Sequence, residues 1–133
     1  MVGRRALERV GLRGVGAGDE SVRLLLRLPR LTGVTLSDEG ISYESMSVLA
    51  KLKELRRLTL HGTRLTGAGL APLTQLTNLE LLWIEGTPLD DSAIPCLEKL
   101  TSLKRLYLFD TKLSWKAKDR LNAALPKTEK RFF

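Results

Sequence analysis

Residues 79–89 read LELLWIEGTPL, and the same pattern stands at residues 55–65 as LRRLTLHGTRL and at residues 103–113 as LKRLYLFDTKL. In each copy, aliphatic residues follow the first leucine at three and five positions. The 24-residue period of these copies is typical of repeat architectures. Extended in both directions, the period places aliphatic residues at all fifteen expected positions, namely Leu7/Val10/Leu12, Leu31/Val34/Leu36, Leu55/Leu58/Leu60, Leu79/Leu82/Ile84 and Leu103/Leu106/Leu108.

The spacing within one copy predicts its local structure. Alternation of aliphatic and other residues predicts short strands near residues 10–12, 34–36, 58–60, 82–84 and 106–108. A second aliphatic pair three residues apart, such as Leu70/Leu73, predicts a helical turn or short helix after each strand. One strand and one helix bury little alone, so stacked copies must share a core. Because strands stack about 4.8 Å apart while helices need about 8 to 10 Å, we expect the sheet to form the concave face.

The LxxLxLxxTxL pattern resembles that of leucine-rich repeat proteins, and most closely the short 24-residue bacterial kind. The resemblance covers nearly the whole chain and implies an α/β solenoid of about five strand-turn-helix repeats, near 7–30, 31–54, 55–78, 79–102 and 103–126. It also implies a ladder of loop hydrogen bonds made by Thr63, Thr87 and Thr111. Val15 and Glu39 interrupt this column, so we expect the first two repeats to be less regular.

The C-terminal residues 115–133 have the features of a cap. A helix over about 115–125 carries Lys118 where other repeats have an aliphatic residue, and Pro126 ends it. Phe132 lies one full period after Leu108, which predicts a sixth strand over the last repeat. We expect Trp115 to pack beneath that repeat. We also expect Leu7, Val10 and Leu12 of the first repeat to be partly open, or to be covered by a partner or by a missing N-terminal segment.

Composition indicates one globular domain with a basic charge. The 133 residues include 29 leucines, and 22 Lys and Arg against 15 Asp and Glu give a net charge of +7. No apolar run is long enough for a membrane span, and the charged start MVGRRALERV lacks the apolar stretch of a signal peptide. A single cysteine excludes an intrachain disulfide. We therefore predict a cytoplasmic protein without a membrane partner.

Side chains that alternate with the buried strand residues project from the concave face. Aromatic residues with arginine are typical of protein-binding surfaces. The predicted partner-binding residues are an apolar patch with a polar rim, namely Trp83, Tyr107, Phe109, Leu81, Arg57, His61, Glu85 and Arg105. Coverage of this patch by the chain's own tail, or a purely structural role in the sheet, is the alternative.

The candidate chemical groups do not form a recognisable active site. His61 has only Glu85 as a predicted neighbour, and catalysis would need a positioned partner in a pocket. Cys96 is expected to be a small apolar residue in the core rather than a nucleophile. The GVGAG segment, residues 14–18, lacks the rest of a phosphate-binding motif and is expected to be a turn. We predict no catalytic residue, metal, cofactor or small-molecule substrate.

The sequence thus predicts a non-enzymatic scaffold that binds another protein through its concave sheet. A binder of nucleic acid or another polyanion is the alternative, because basic residues gather at both ends of the chain. We rank nucleic acid lower, since acidic residues are interspersed among these charges. A fragment of a larger leucine-rich repeat receptor or regulator is a third possibility.

Overall fold

The computed structural model describes residues 9–13, 18–28, 30–37 and 40–133. The strands are β1 (Arg9–Arg13), β2 (Gly33–Ser37), β3 (Arg57–His61), β4 (Leu81–Glu85), β5 (Arg105–Phe109) and β6 (Glu129–Phe132). The helices are α1 (Asp19–Arg23), α2 (Tyr43–Leu49), α3 (Ile94–Leu97) and α4 (Trp115–Ala124), together with 3₁₀ segments at Leu24–Arg27, Gly67–Gln75 and Asp91–Ala93.

The six strands form one parallel sheet in chain order. Leu58 of β3 pairs with Leu82 of β4, which in turn pairs with Leu106 of β5. The five predicted strands and their parallel arrangement are therefore confirmed. The predicted sixth strand is also present, since β6 pairs with β5 and places Phe132 opposite Leu108.

The inward side chains of the strands form the core. Leu58, Leu60, Leu82, Ile84 and Leu106 are fully buried, and Leu108 is 1% exposed. On the opposite side, the helical segments contribute the second set of aliphatic residues. The pairs in that set are all buried, namely Val22/Leu25, Met46/Leu49, Leu70/Leu73 and Ile94/Leu97. These two layers share one continuous core, as the repeat pattern predicted.

Tight turns follow the central strands. Gly62 and Gly86 have φ of 62° and 64°, a region in which glycine lacks the steric penalty of other residues. Just beyond them, the hydroxyls of Thr63 and Thr87 lie 3.2 Å apart, and Thr87 also donates to the carbonyl of Glu85 at 3.4 Å. This buried pair forms part of the expected ladder, whereas the half-buried Thr111 makes no side-chain hydrogen bond with the described residues. Val15 and Glu39, on which the expected irregularity of the first repeats rests, lie outside the described residues.

The C-terminal cap is a helix followed by the edge strand β6. Ser114 caps α4 by accepting a hydrogen bond from the amide of Ala117 at 3.2 Å, and Ala117 and Leu121 are buried against the core. The expectation that Trp115 packs beneath the last repeat is wrong, because this side chain is 72% exposed. Trp115 is the first residue of α4, and that position points away from the core. The ammonium of Lys116 lies 5.8 Å from its ring centroid.

Carboxylates link neighbouring repeats at the starts of the helices. Asp19 accepts hydrogen bonds from the amide of Ser42 at 2.9 Å and from the hydroxyls of Ser42 and Ser45. Asp91 does the same with the amide of Ser114 at 2.8 Å and with its hydroxyl. Each contact joins one helix to the next repeat and so couples adjacent units of the solenoid.

Candidate protein-binding surface

The outward side chains of the strands form three columns across the sheet. Each column follows the strand register, in which every Cα partner lies one repeat further along the chain. The first column is Arg9, Gly33, Arg57, Leu81, Arg105 and Glu129; the second is Gly11, Thr35, Thr59, Trp83, Tyr107 and Arg131; the third includes Ser37, His61, Glu85 and Phe109.

Trp83, Tyr107 and Phe109 form a compact cluster of rings on this face. Trp83 meets Tyr107 and Phe109 edge to face, with centroids 5.6 Å and 5.5 Å away, while Tyr107 and Phe109 stack at 6.2 Å. Edge-to-face and offset-stacked rings attract each other through their quadrupoles. All three rings are half-buried, partly against one another. We call these three residues the aromatic cluster.

Polar groups hold two of the rings in place. The indole nitrogen of Trp83 donates to the Glu85 carboxylate at 3.2 Å, and the Tyr107 hydroxyl donates to the Glu129 carboxylate at 2.9 Å. The hydrogen bond to Glu129 raises the pKa of the Tyr107 hydroxyl above its ordinary value. The same bond, aided by nearby arginines, lowers the pKa of Glu129. Both bonds restrict ring rotation before any partner is bound.

The C-terminal tail, residues 127–133, lies at one edge of the aromatic cluster. Because β6 lies beside β5 in the sheet, the tail adds a strand next to the rings. The Phe133 ring lies 5.3 Å from that of Phe109 and is 80% exposed, and the Arg131 guanidinium lies 5.6 Å from the Tyr107 ring centroid. The alternative that the chain's own tail covers the patch is therefore met in part. Residues 129–133 contact Tyr107 and Phe109, whereas no ring contact or hydrogen bond joins the described tail to Trp83. Arg131 and Phe133 stand one period after Tyr107 and Phe109.

The other predicted residues surround the cluster at different distances. Leu81 lies between Arg57 and Arg105 in the first column, and all three are on the outward face. His61 is exposed and stands opposite Glu85 in the register, as predicted. The carboxylate of Glu85 is engaged by Trp83, however, so it serves the aromatic cluster.

A shallow groove of about 560 Å³ runs beside Trp83. Its lining consists entirely of outward strand side chains, namely Thr35, Ser37, Thr59, His61, Trp83 and Glu85. The outward face of the sheet, which we expect to be the concave one, thus has a groove at its centre, with the indole of Trp83 as one wall. Such a surface can accept an extended segment or a loop of another molecule.

The remaining chemical groups lie away from this surface. Among the described residues, no group of three or more His, Cys, Asp or Glu side chains is placed to hold a metal ion. Cys96 is half-buried on the helical side, packed against the core, as expected of an apolar core residue. In the GVGAG segment only Gly18 is described, so the expected turn lies outside the described residues. None of the helices described is both long and apolar enough to cross a bilayer.

The comparisons with known proteins establish the fold. No protein-family model matches the chain, and neither does any curated protein. Among solved structures, the tropomodulin C-terminal domain of Caenorhabditis elegans is 18% identical with a TM-score of 0.64, covering 91% of this chain and 83% of that one. A leucine-rich repeat protein of Leptospira interrogans is 26% identical with a TM-score of 0.56, and the match covers 83% of this chain. The matched region is 27% of the Leptospira chain. The fold of this chain is therefore an α/β leucine-rich repeat solenoid.

Proposed function

We propose that this leucine-rich repeat solenoid is a non-enzymatic scaffold that binds another protein through the concave face of its sheet. The aromatic cluster carries the proposal. Its three rings stand side by side on the outward face of β4 and β5, opposite the side on which the helical segments pack against the core. Exposed apolar patches with aromatic and arginine residues are typical of contact sites.

The rigidity of the cluster supports a binding role. Trp83 and Tyr107 are each held by a neighbouring ring and by a carboxylate. Side chains that are ordered before binding lose little conformational entropy when a partner covers them. Such residues can serve as anchors, and Leu81, Arg57, His61 and Arg105 would form the surrounding contact area.

A cytoplasmic location is part of the proposal. It rests on the single cysteine, because small domains of secreted proteins commonly rely on several disulfides.

The polar groups nearest the rings are the carboxylates of Glu85 and Glu129. Both already accept hydrogen bonds from the aromatic cluster, which supports a binding rather than a catalytic role.

Truncation of the aromatic cluster tests the proposal. A partner isolated on the immobilised chain and identified by mass spectrometry would be titrated against purified variants by calorimetry. Removing an interface anchor commonly costs about 2 kcal/mol or more. We therefore expect Trp83→Ala and Tyr107→Ala each to weaken binding at least roughly tenfold.

Trp115→Ala is the matched control. This second tryptophan is 72% exposed but lies on α4, away from the sheet face. It should leave the affinity unchanged, and circular dichroism should show that all three variants stay folded. If folded Trp83→Ala and Tyr107→Ala proteins bind the partner as tightly as the parent, the concave face is not the binding site.

A polyanion is the second candidate, favoured by the net charge of +7. The acidic side chains of Glu85 and Glu129 beside the aromatic cluster disfavour it at this face, since they would repel phosphates. Binding to a polyanion should weaken steeply with added salt, because counterions are released on contact. Neutralising Lys116, Lys118 and Arg120 together would then reduce affinity, whereas Trp83→Ala would have little effect.

A further inference from the structure

The concave face is divided into two halves of different chemistry. Glu85 and Glu129, the two outward carboxylates of the described sheet, both lie in the half formed by β4 to β6, together with the aromatic cluster. Among the side chains that the structure describes, the half formed by β1 to β3 has no outward carboxylate. Its outward residues are small, polar or basic, namely Arg9, Gly11, Gly33, Thr35, Ser37, Arg57, Thr59 and His61.

Arg9 and Arg57 line a depression in the half formed by β1 to β3, which we call the basic half. It measures about 420 Å³ and reaches from β1 to Trp83. Gly11 and Gly33 contribute to its lining, and Gly11 is exposed whereas Gly33 is buried. A Cβ atom on Gly33 would lie 3.1 Å from Cγ of Arg9, which shows that the arginine stem lies over this glycine.

The arginines of the first column differ in their pairing. Arg105 lies 3.5 Å from the Glu129 carboxylate. Arg57, two strands earlier in the same column, has no described carboxylate within 4.0 Å of its guanidinium. Glu80, which shares a small hollow with Arg57, is instead paired with Lys104 at 3.5 Å. Arg57 therefore offers its guanidinium to an external anion.

The distance between the two halves sets the spacing of the groups that a ligand must present. The midpoint between Arg9 and Arg57 lies on β2, about 2.5 strand steps, or about 12 Å, from the centre of the aromatic cluster across the sheet. An offset of about two residues along the strands brings this distance to about 14 Å. An extended chain rises about 3.3 Å per residue, so about four residues span this distance. Residues four apart in an extended segment also point to the same side.

We propose that the concave face binds an extended acidic segment of its partner. An Asp or Glu carboxylate of that segment pairs with Arg57, and with Arg9, whose stem extends over Gly33 from two strands away. A large apolar side chain about four residues along the segment packs on the aromatic cluster. This inference rests on the proposed function of the same face and specifies the chemistry of the partner.

Selection from a peptide library tests the inference. Random peptides of about 12 residues, long enough to cross the sheet in extended form, would be displayed on phage and selected on the immobilised full chain. The enriched sequences would be synthesised and titrated by calorimetry. We expect an acidic residue four positions from an aromatic or large aliphatic residue. Changing that acidic residue to its amide, or Arg57→Gln, should each weaken binding about tenfold, since a charge-assisted pair is lost.

Two comparisons make the assignment specific. The peptide change and Arg57→Gln should not be additive, because both remove the same contact. Arg23→Gln is the matched control, since its guanidinium pairs with Glu44 at 2.8 Å on the helical side, away from the sheet face, and it should change affinity less than about threefold. The peptide substitution tests the contact without altering the protein, so a fold defect in Arg57→Gln cannot conceal the result.

The outcomes separate this inference from the proposed function. Enriched peptides that lack an acidic residue at this spacing, or that bind Arg57→Gln as tightly as the parent, overturn the inference. If those peptides still lose affinity with Trp83→Ala, the proposed function of the face stands. If no peptide depends on either Arg57 or Trp83, both proposals fail.

Discussion

Leu82→Ala tests the continuity of the leucine core at its centre. Leu82 is fully buried in β4, between Leu58 and Leu106 on the adjacent strands. The substitution removes three buried carbon atoms with their hydrogens. Burial of each contributes about 0.8 kcal/mol to the free energy of unfolding, or about 2.4 kcal/mol in all. The backbone of β4 is fixed by strands on both sides, so we expect the cavity to close only in part. The cavity that remains raises the expected loss to about 3 to 5 kcal/mol.

Urea denaturation monitored by circular dichroism measures this loss. The midpoint should fall while the slope of the unfolding free energy with urea stays unchanged, as expected for a loss of stability without a change in compactness. Leu24→Ala is the matched control, because Leu24 is 56% exposed and the same atoms are removed from solvent contact. It should cost less than about 1 kcal/mol. A Leu82→Ala protein as stable as Leu24→Ala would refute the buried position assigned to Leu82.

Two further predictions concern contacts between repeats. Gly67→Ala should destabilise the fold by about 1 to 3 kcal/mol, because its Cβ would lie 2.2 Å from Oγ of Ser92. Gly11→Ala, whose Cβ would have no atom of the described residues within 4 Å, should leave stability nearly unchanged in the same urea assay. The hydrogen bonds from Ser114 hold the pKa of Asp91 below its ordinary value of 3.8. The unfolded state therefore binds more protons as the medium becomes acidic, and the contribution of Asp91 to stability is lost as pH falls below about 3.8. Unfolding midpoints measured from about pH 5 to about pH 3 should fall less steeply for Asp91→Asn and Ser114→Ala than for the parent, and equal slopes would contradict the contact.

The strands and the core could be predicted from sequence because two periods coincide. Alternation within a strand determines which side chains point inward, and the 24-residue step determines which strands are neighbours. Leu82 and Ile84 follow from the first rule, and their pairing with Leu106 and Leu108 from the second. The sequence determined the type of the helical segments less well. Pro72 and two glycines lie in residues 67–75, where the chain forms a 3₁₀ helix.

The position of Trp115 shows where residue type misleads. A large aromatic residue near a chain cap suggests burial, but the repeat register places Trp115 in line with Tyr43 and Asp91, each the first residue of a helical segment. Tyr43 is 54% exposed and Trp115 is 72% exposed, whereas Gly67 at the same register position is buried. The carboxylate contacts of Asp19 and Asp91 with the following repeat occupy the same register position. They depend on side-chain rotamers, which sequence periodicity does not determine.

The candidate surface was predictable in its position but not in its division into halves. Register alone places Trp83, Tyr107 and Phe109 on one face, because each alternates with a buried leucine or isoleucine. Which arginine is paired depends on the tail, since only the addition of β6 brings Glu129 beside Arg105. The same strand adds the Phe133 ring next to Phe109. The tail thus supplies the carboxylate that pairs with Arg105 and with its own Arg131, whereas Arg57 has no described carboxylate partner. An acidic residue of a partner should therefore bind at the opposite end of the sheet from the rings.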